Sequence, residues 1–148
     1  MTKVKIVYAS LTGNNEAIAD YLKTQLEARG ADVDVEEMSQ ALADDLADYD
    51  VAVVASYTYS GVTDGELPEE AMDFYEDLEE LELPDLKYAV CGSGDSTYDQ
   101  FCTAVDLFTA AFEQTGAKQV ASSVKIDLEP DAADFAQLDQ VVSAIVAL

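Results

Sequence analysis

Ile6-Val7-Tyr8-Ala9-Ser10-Leu11-Thr12-Gly13-Asn14-Asn15-Glu16-Ala17-Ile18 carries an apolar run into a short polar loop and then directly into a helical pattern. A strand–loop–helix unit of this kind suits an anion. The first N–H groups of a helix have no intrahelical partner, and the helix dipole places partial positive charge beside them. Ser10, Thr12, Asn14 and Asn15 bring side chains able to donate hydrogen bonds into the same space. No Lys or Arg lies between Lys5 and Lys23, so a phosphate here must be held by neutral donors. The spacing is neither the G-x-x-x-x-G-K-[ST] of a P-loop nor the G-x-G-x-x-G of a dinucleotide site. On this stretch alone a polar βα turn with a helix cap stays open as the plainer reading.

The rest of the chain repeats the same unit. Val4 to Ala9 reads as a buried strand, and the helix after it carries Ala17, Ile18, Tyr21, Leu22, Gln25 and Leu26 at helical spacing before stopping at Arg29-Gly30. Ala31 to Glu36 alternates apolar and acidic residues, as a half-exposed strand near a sheet edge does. Ala41 to Asp48 predicts a short helix, and Val51 to Ala55 a central strand. A polar loop, Ser56 to Gly65, leads to a helix opened by Pro68, with Ala71, Met72, Phe74, Tyr75, Leu78 and Leu81 on its apolar positions. Lys87 to Cys91 is the fourth strand, followed by the loop Gly92-Ser93-Gly94-Asp95-Ser96-Thr97-Tyr98 and a helix faced by Phe101, Val105, Phe108 and Phe112. Val120 to Leu128 is the fifth strand, with a break near Ser122-Ser123, and Pro130 opens a last helix with Phe135, Leu138, Val142 and Ile145 on its buried stripe. Strand–helix alternation through residues 1–148 predicts one domain of α/β class, a doubly wound five-stranded parallel sheet flanked by helices. Ligands bind such sheets beyond the carboxyl ends of the strands, and three polar loops cluster there, after strands one, three and four.

The charge balance narrows the partners. Seven basic residues face 31 acidic ones, a net charge of −24, so nucleic acid and anionic membrane surfaces would be repelled. A basic protein partner or a high-salt cytoplasm fits this surface. The chain has no histidine, which removes the commonest general base and metal ligand. Cys91 and Cys102 match no metal or redox spacing and read as buried free thiols of a reducing cytosol. With no signal-like segment and no membrane-length apolar run, the expectation is a soluble, cytoplasmic protein.

With all three loops in view, the chain resembles a flavodoxin of the short-chain type over essentially its whole length. Tyr8-x-Ser10-x-Thr12-Gly13-Asn14 resembles that family's phosphate loop, with Ala19 and Leu22 at positions where its pattern has a small and an aliphatic residue. Tyr57-Thr58-Tyr59 with Asp64-Gly65-Glu66-Leu67-Pro68, and Gly92-Ser93-Gly94-Asp95-Ser96-x-Tyr98, resemble the two loops that flank the flavin ring. The fifth-strand region lacks the insertion that marks the long-chain type. Two departures stand out. Asn15 occupies a place where the family usually has threonine, and the loop between Tyr59 and Asp64 is longer than the common form.

The resemblance implies strand order 2-1-3-4-5 and FMN as cofactor. It implies that Ser10, Leu11, Thr12, Gly13, Asn14 and Asn15 surround the phosphate. Around the ring it implies Thr58, Tyr59, Ser93, Gly94, Asp95, Tyr98 and Cys102, with Tyr98 stacked on one face and Tyr59, or its rival Tyr57, on the other. Asp95 reads equally as a helix cap. No acid–base pair, nucleophile or metal cluster is legible, which suits a flavin that carries the redox chemistry itself. Glu66, Glu69, Glu70, Asp73, Glu76 and Asp77 read as a solvated face that also steers basic redox partners. The function implied is a low-potential, single-electron carrier working as a monomer between reductases and oxidoreductases. The alternative on the same fold is an FMN-dependent quinone or nitro-group reductase.

Overall fold

The computed structural model describes residues 2–10, 13–57, 59–60, 64–66, 71–94, 102–127 and 130–148, with backbone alone for 59–60 and 64–66. The elements in order are β1 (Lys3–Ala9), α1 (Asn14–Ala28), β2 (Asp32–Glu37), a 3-10 helix (Ala43–Asp48), β3 (Val51–Ser56), β4 (Tyr59–Ser60), β5 (Asp64–Glu66), α2 (Met72–Glu79), β6 (Lys87–Gly94), α3 (Thr103–Gln114), β7 (Lys118–Gln119), β8 (Val124–Asp127) and α4 (Ala132–Val146).

The main sheet is parallel, in the order β2-β1-β3-β6-β7, with β8 also paired to β6. In terms of the sequence-predicted strands this is 2-1-3-4-5. The chain winds from β1 out to β2, then crosses back past β1 to β3 and β6. The winding therefore reverses between β1 and β3, and the crevice beyond their carboxyl ends is where such sheets take ligands.

Successive strand residues point to opposite faces, and both faces are covered. Ala52, Val54, Tyr88 and Val90 pack with Phe74, Leu78, Phe108 and Phe112 of α2 and α3. Val51, Val53, Ala89 and Cys91 pack with Ile18, Leu22, Leu138, Val142 and Ile145 of α1 and α4. The Tyr88 ring stacks on Phe112 at 4.7 Å between centroids.

The break expected near Ser122-Ser123 is present, and five further details depart from the sequence reading. The predicted fifth strand is two pieces, β7 beside Lys87–Tyr88 and β8 beside Cys91–Gly94. Between them Ser123 meets Thr109 and Gln119 through its hydroxyl, and such local side-chain bonding competes with a ladder. The segment before β3 is a 3-10 turn, consistent with the poor helix propensity of Asp44, Asp45 and Asp48. Part of the loop after β3 closes as an antiparallel pair, β4 with β5. In α1 the buried set is Asn15, Ile18, Ala19, Leu22 and Leu26, so Ala17 faces solvent. Met72, expected on the apolar face of α2, is 40% exposed. At the start of α4, Pro130 stands one residue outside the cap. Asp131 accepts from the Asp134 N–H at 2.9 Å and Asp134 accepts from the Asp131 N–H at 3.0 Å.

Candidate functional site

The end of β1 and the start of α1 form a tight polar turn. Ser10 Oγ accepts a hydrogen bond from the Gly13 N–H at 2.9 Å. Gly13 caps α1 with φ of 92°, a left-handed conformation, and a Cβ built there would meet nothing within 4 Å. Glycine is thus needed for the turn's backbone and not for space. The first helical bond runs from Ala17 N–H to Gly13 O at 2.9 Å, which leaves the N–H groups of Asn14, Asn15 and Glu16 without a partner inside the helix. Leu11 and Thr12 lie outside the described residues.

Asn15 does something else with its side chain. It is 1% exposed, on the same helix face as Ile18 and Leu22. Its Nδ2 donates to Ser93 Oγ at 2.8 Å, and its Oδ1 accepts from the Ser93 N–H at 3.2 Å. The Ser93 N–H can only donate, so the amide's orientation is fixed by chemistry. The carboxamide expected at the phosphate is committed to β6 instead.

Ser93 and Gly94 end β6, next to the loop that carries Asp95 and Tyr98, both outside the described residues. Gly92 has no room for a side chain, since a Cβ would lie 2.1 Å from Ser56 O of β3. Gly94 is held against Cys102, whose N and Sγ would lie 3.0 and 3.1 Å from an added Cβ. Cys102 is fully buried and takes φ of 53°, the one non-glycine residue with positive φ among those described. Its Sγ lies 3.7 Å from both Gly92 O and Ile126 O. Burial pushes its thiol up to about 11 and that of Cys91 to about 12, so both are neutral and unsuited to nucleophilic work at pH 7.

After β3, the Tyr57 N–H donates to Ala9 O at 3.3 Å, tying the ends of β3 and β1 together. The Tyr57 side chain is half-buried against the α2–α3 core. Tyr59 belongs to β4, opposite Glu66. Thr58 lies outside the described residues, as do Glu69 and Glu70. Asp73, Glu76 and Asp77 of α2 are exposed and border, with Leu42, an open cleft of about 360 Å³. Among the described residues no group of three or more His, Cys, Asp or Glu is placed to hold a metal ion.

The parts fit an FMN phosphate. Phosphate oxygens are acceptors, and the turn offers N–H and hydroxyl donors at the positive end of a helix dipole. The structure therefore brings Ser10, Gly13, Asn14 and the Asn15 backbone to one turn, and Ser93, Gly94 and Cys102 to a second site at the same end of the sheet. Sequence reasoning missed the Asn15–Ser93 bridge. Its signal was the helical phase of Asn15, which is i−3, i−4 and i−7 from Ile18, Ala19 and Leu22.

The chain matches the family model described as Flavodoxin over residues 6–138. It is 40% identical over 131 residues to "Probable flavodoxin 1" of Bacillus subtilis (strain 168), covering 88% of this chain and 81% of that protein. Among solved structures it resembles a flavodoxin of Streptococcus pneumoniae TIGR4 at 48% identity, TM-score 0.94 and 98% coverage of both chains. It also resembles a short-chain flavodoxin associated with a PDU bacterial microcompartment, at 40% identity and TM-score 0.94, covering 99% of this chain and 98% of that one.

Proposed function

The chain belongs to the flavodoxin family, electron-transfer proteins that bind FMN, and from that premise we propose how this member holds its cofactor and what kind of carrier it is. It is a low-potential carrier that moves electrons singly. The phosphate of FMN sits in the turn of Ser10, Leu11, Thr12, Gly13, Asn14 and Asn15, met by backbone N–H groups and hydroxyls. Thr58, Tyr59, Ser93, Gly94, Asp95, Tyr98 and Cys102 surround the ring, with Tyr98 as the outer wall. Tyr59 is the inner wall; the packing of Tyr57 on the α2–α3 core supports that choice over its rival.

One observation carries the reading. The open N–H groups at the start of α1 stand at the point where the sheet reverses its winding, beside the loops that follow β3 and β6. When bound, FMN supplies the redox chemistry, and the protein supplies binding, orientation and electrostatics. A turn of neutral donors holds the phosphate without cancelling its charge. That charge and the protein's net −24 both disfavour adding an electron to a poorly hydrated ring nearby, which supports a low potential.

Flavodoxins pass electrons to redox partner proteins, and the partners proposed here present basic faces to Asp73, Glu76 and Asp77. The whole chain, 1–148, works as one domain, as a monomer in the cytoplasm; no described helix is long and apolar enough to cross a membrane. Titration of the apoprotein with FMN, riboflavin and FAD tests the phosphate assignment. FMN should bind far more tightly than riboflavin or FAD, and equal affinity for riboflavin would sink the assignment.

A further inference from the structure

The Asn15–Ser93 bridge is the one buried side-chain link among the described residues between the phosphate turn and the ring side of the site. Asn15 is the second residue of α1, and its own N–H is one of the open donors. Ser93 is the last residue but one of β6, directly before Gly94 and the ring loop. Between β1 and β6 the sheet inserts β3, so the bridge spans the end of the intervening strand. Asn15 is 1% exposed and Ser93 5%, and both the hydroxyl and the N–H of Ser93 are used.

An amide at this position is not the cheapest way to fill it. The neighbours on the same helix face are Ile18, Ala19 and Leu22, and an apolar residue would bury there without desolvating a polar group. Two reciprocal hydrogen bonds offset that cost, and they do so in one relative position of α1 and β6. The pair therefore specifies geometry more than it adds stability. The geometry it specifies is the distance between the N–H groups that face the phosphate and the loop that borders the ring.

We propose that Asn15 is a positioning residue whose side chain clasps Ser93 and sets the span between the phosphate and ring subsites, and that it meets the phosphate through its backbone alone. This rests on the placement of FMN proposed above. FMN reaches both subsites, so its affinity depends on their spacing. Riboflavin engages the ring subsite alone and is insensitive to the span. The clasp thus contributes to FMN affinity by preorganisation, as a fixed linker contributes to a bivalent ligand.

The test measures dissociation constants of FMN and riboflavin for wild type, Asn15→Ala, Ser93→Ala and the double variant, with folding of each followed by circular dichroism. The preference for FMN over riboflavin should shrink by about tenfold in Asn15→Ala, which removes both hydrogen bonds, and by about threefold in Ser93→Ala, which removes the hydroxyl but keeps the Ser93 N–H to Asn15 Oδ1 bond. It should shrink no further in the double variant than in Asn15→Ala, because the two residues act as one unit. In Asn15→Ala, whose residue stands on the phosphate side and not around the ring, riboflavin affinity should stay within about twofold of wild type. Because the readout is a ratio on one protein, partial destabilisation does not move it. Loss of preference in Asn15→Ala but not in Ser93→Ala would mean that the carboxamide touches the phosphate itself, and would overturn the clasp. Parallel weakening of both ligands, or no change, would reduce the bridge to a packing feature and overturn it equally. A wild type that binds riboflavin as tightly as FMN would instead refute the phosphate placement on which the clasp depends.

Discussion

Gly92→Ala should destabilise the protein by about 2 kcal/mol, and the geometry supplies the reason. An alanine Cβ at this position would stand 2.1 Å from Ser56 O and 3.2 Å from Ser56 C, with Val105 Cγ2 at 3.0 Å. The Val105 methyl can turn aside, but the Ser56 carbonyl belongs to the backbone of the adjacent strand. To reach ordinary contact, β3 and β6 must part by about 1 Å at their carboxyl ends, in an interior packed too densely to yield freely. Overpacking of this kind costs about 1–3 kcal/mol, and the lower chain entropy of unfolded alanine offsets less than about 1 kcal/mol of it. For a chain of this size the net loss corresponds to a fall in Tm of roughly 4–8 °C. Urea unfolding of the apoprotein measures it without the stabilisation that bound FMN adds by mass action. Gly94→Ala is the internal comparison: its closest contacts are 3.0 and 3.1 Å, to Cys102 N and Sγ, and it should cost about half as much. A Gly92→Ala variant with the urea midpoint of wild type, or one less damaged than Gly94→Ala, would refute the close approach of β3 and β6.

Electron transfer to a basic partner should slow as salt rises, since exposed charges are screened beyond about 8 Å at physiological ionic strength; combining Asp73→Asn, Glu76→Gln and Asp77→Asn should flatten that dependence, and stopped-flow rates indifferent to both changes would argue against steering by α2. Tyr49 donates to Asp34 Oδ2 at 2.5 Å, a bond that, with burial, lifts its phenol from 10.0 to about 12. Its folded pKa lies above the unfolded value, so its contribution is complete below pH 10.0 and is lost as pH rises through about 12. Tyr49→Phe should remove that alkaline loss and cost no more than about 1 kcal/mol at neutral pH, because the bond is exposed. Unfolding midpoints of both proteins across that window give the answer, and an unchanged alkaline slope in Tyr49→Phe would contradict it.

Much of this molecule was legible because its signals are local and periodic. Val51 to Ala55, apolar on both faces, could only be an interior strand, and it stands between β1 and β6. Val33 and Val35 alternate with acids, and β2 is the edge. The stop at Arg29-Gly30 ends α1, with Gly30 at φ of 92°. What escaped depends on partners distant in sequence. Whether Asn15 faces a ligand or a serine 78 residues away is decided by how α1 lies on the sheet, which residue types alone do not encode. Cys102 caps α3 with a positive φ, at a residue type that does not advertise it. The break in the fifth strand was visible as two serines, but the pairing of both pieces with β6 is a property of the assembled sheet.

The central claim, a carrier that moves single electrons at low potential, is tested most directly by stepwise reduction of the FMN-loaded protein under spectroscopic control. Two separate one-electron steps are predicted, the second at a potential well below that of free FMN, with no oxidation of NADH or NADPH in the absence of a partner protein. A single two-electron step near the potential of free FMN, accompanied by nicotinamide oxidation with a quinone or nitro compound as acceptor, would contradict the account.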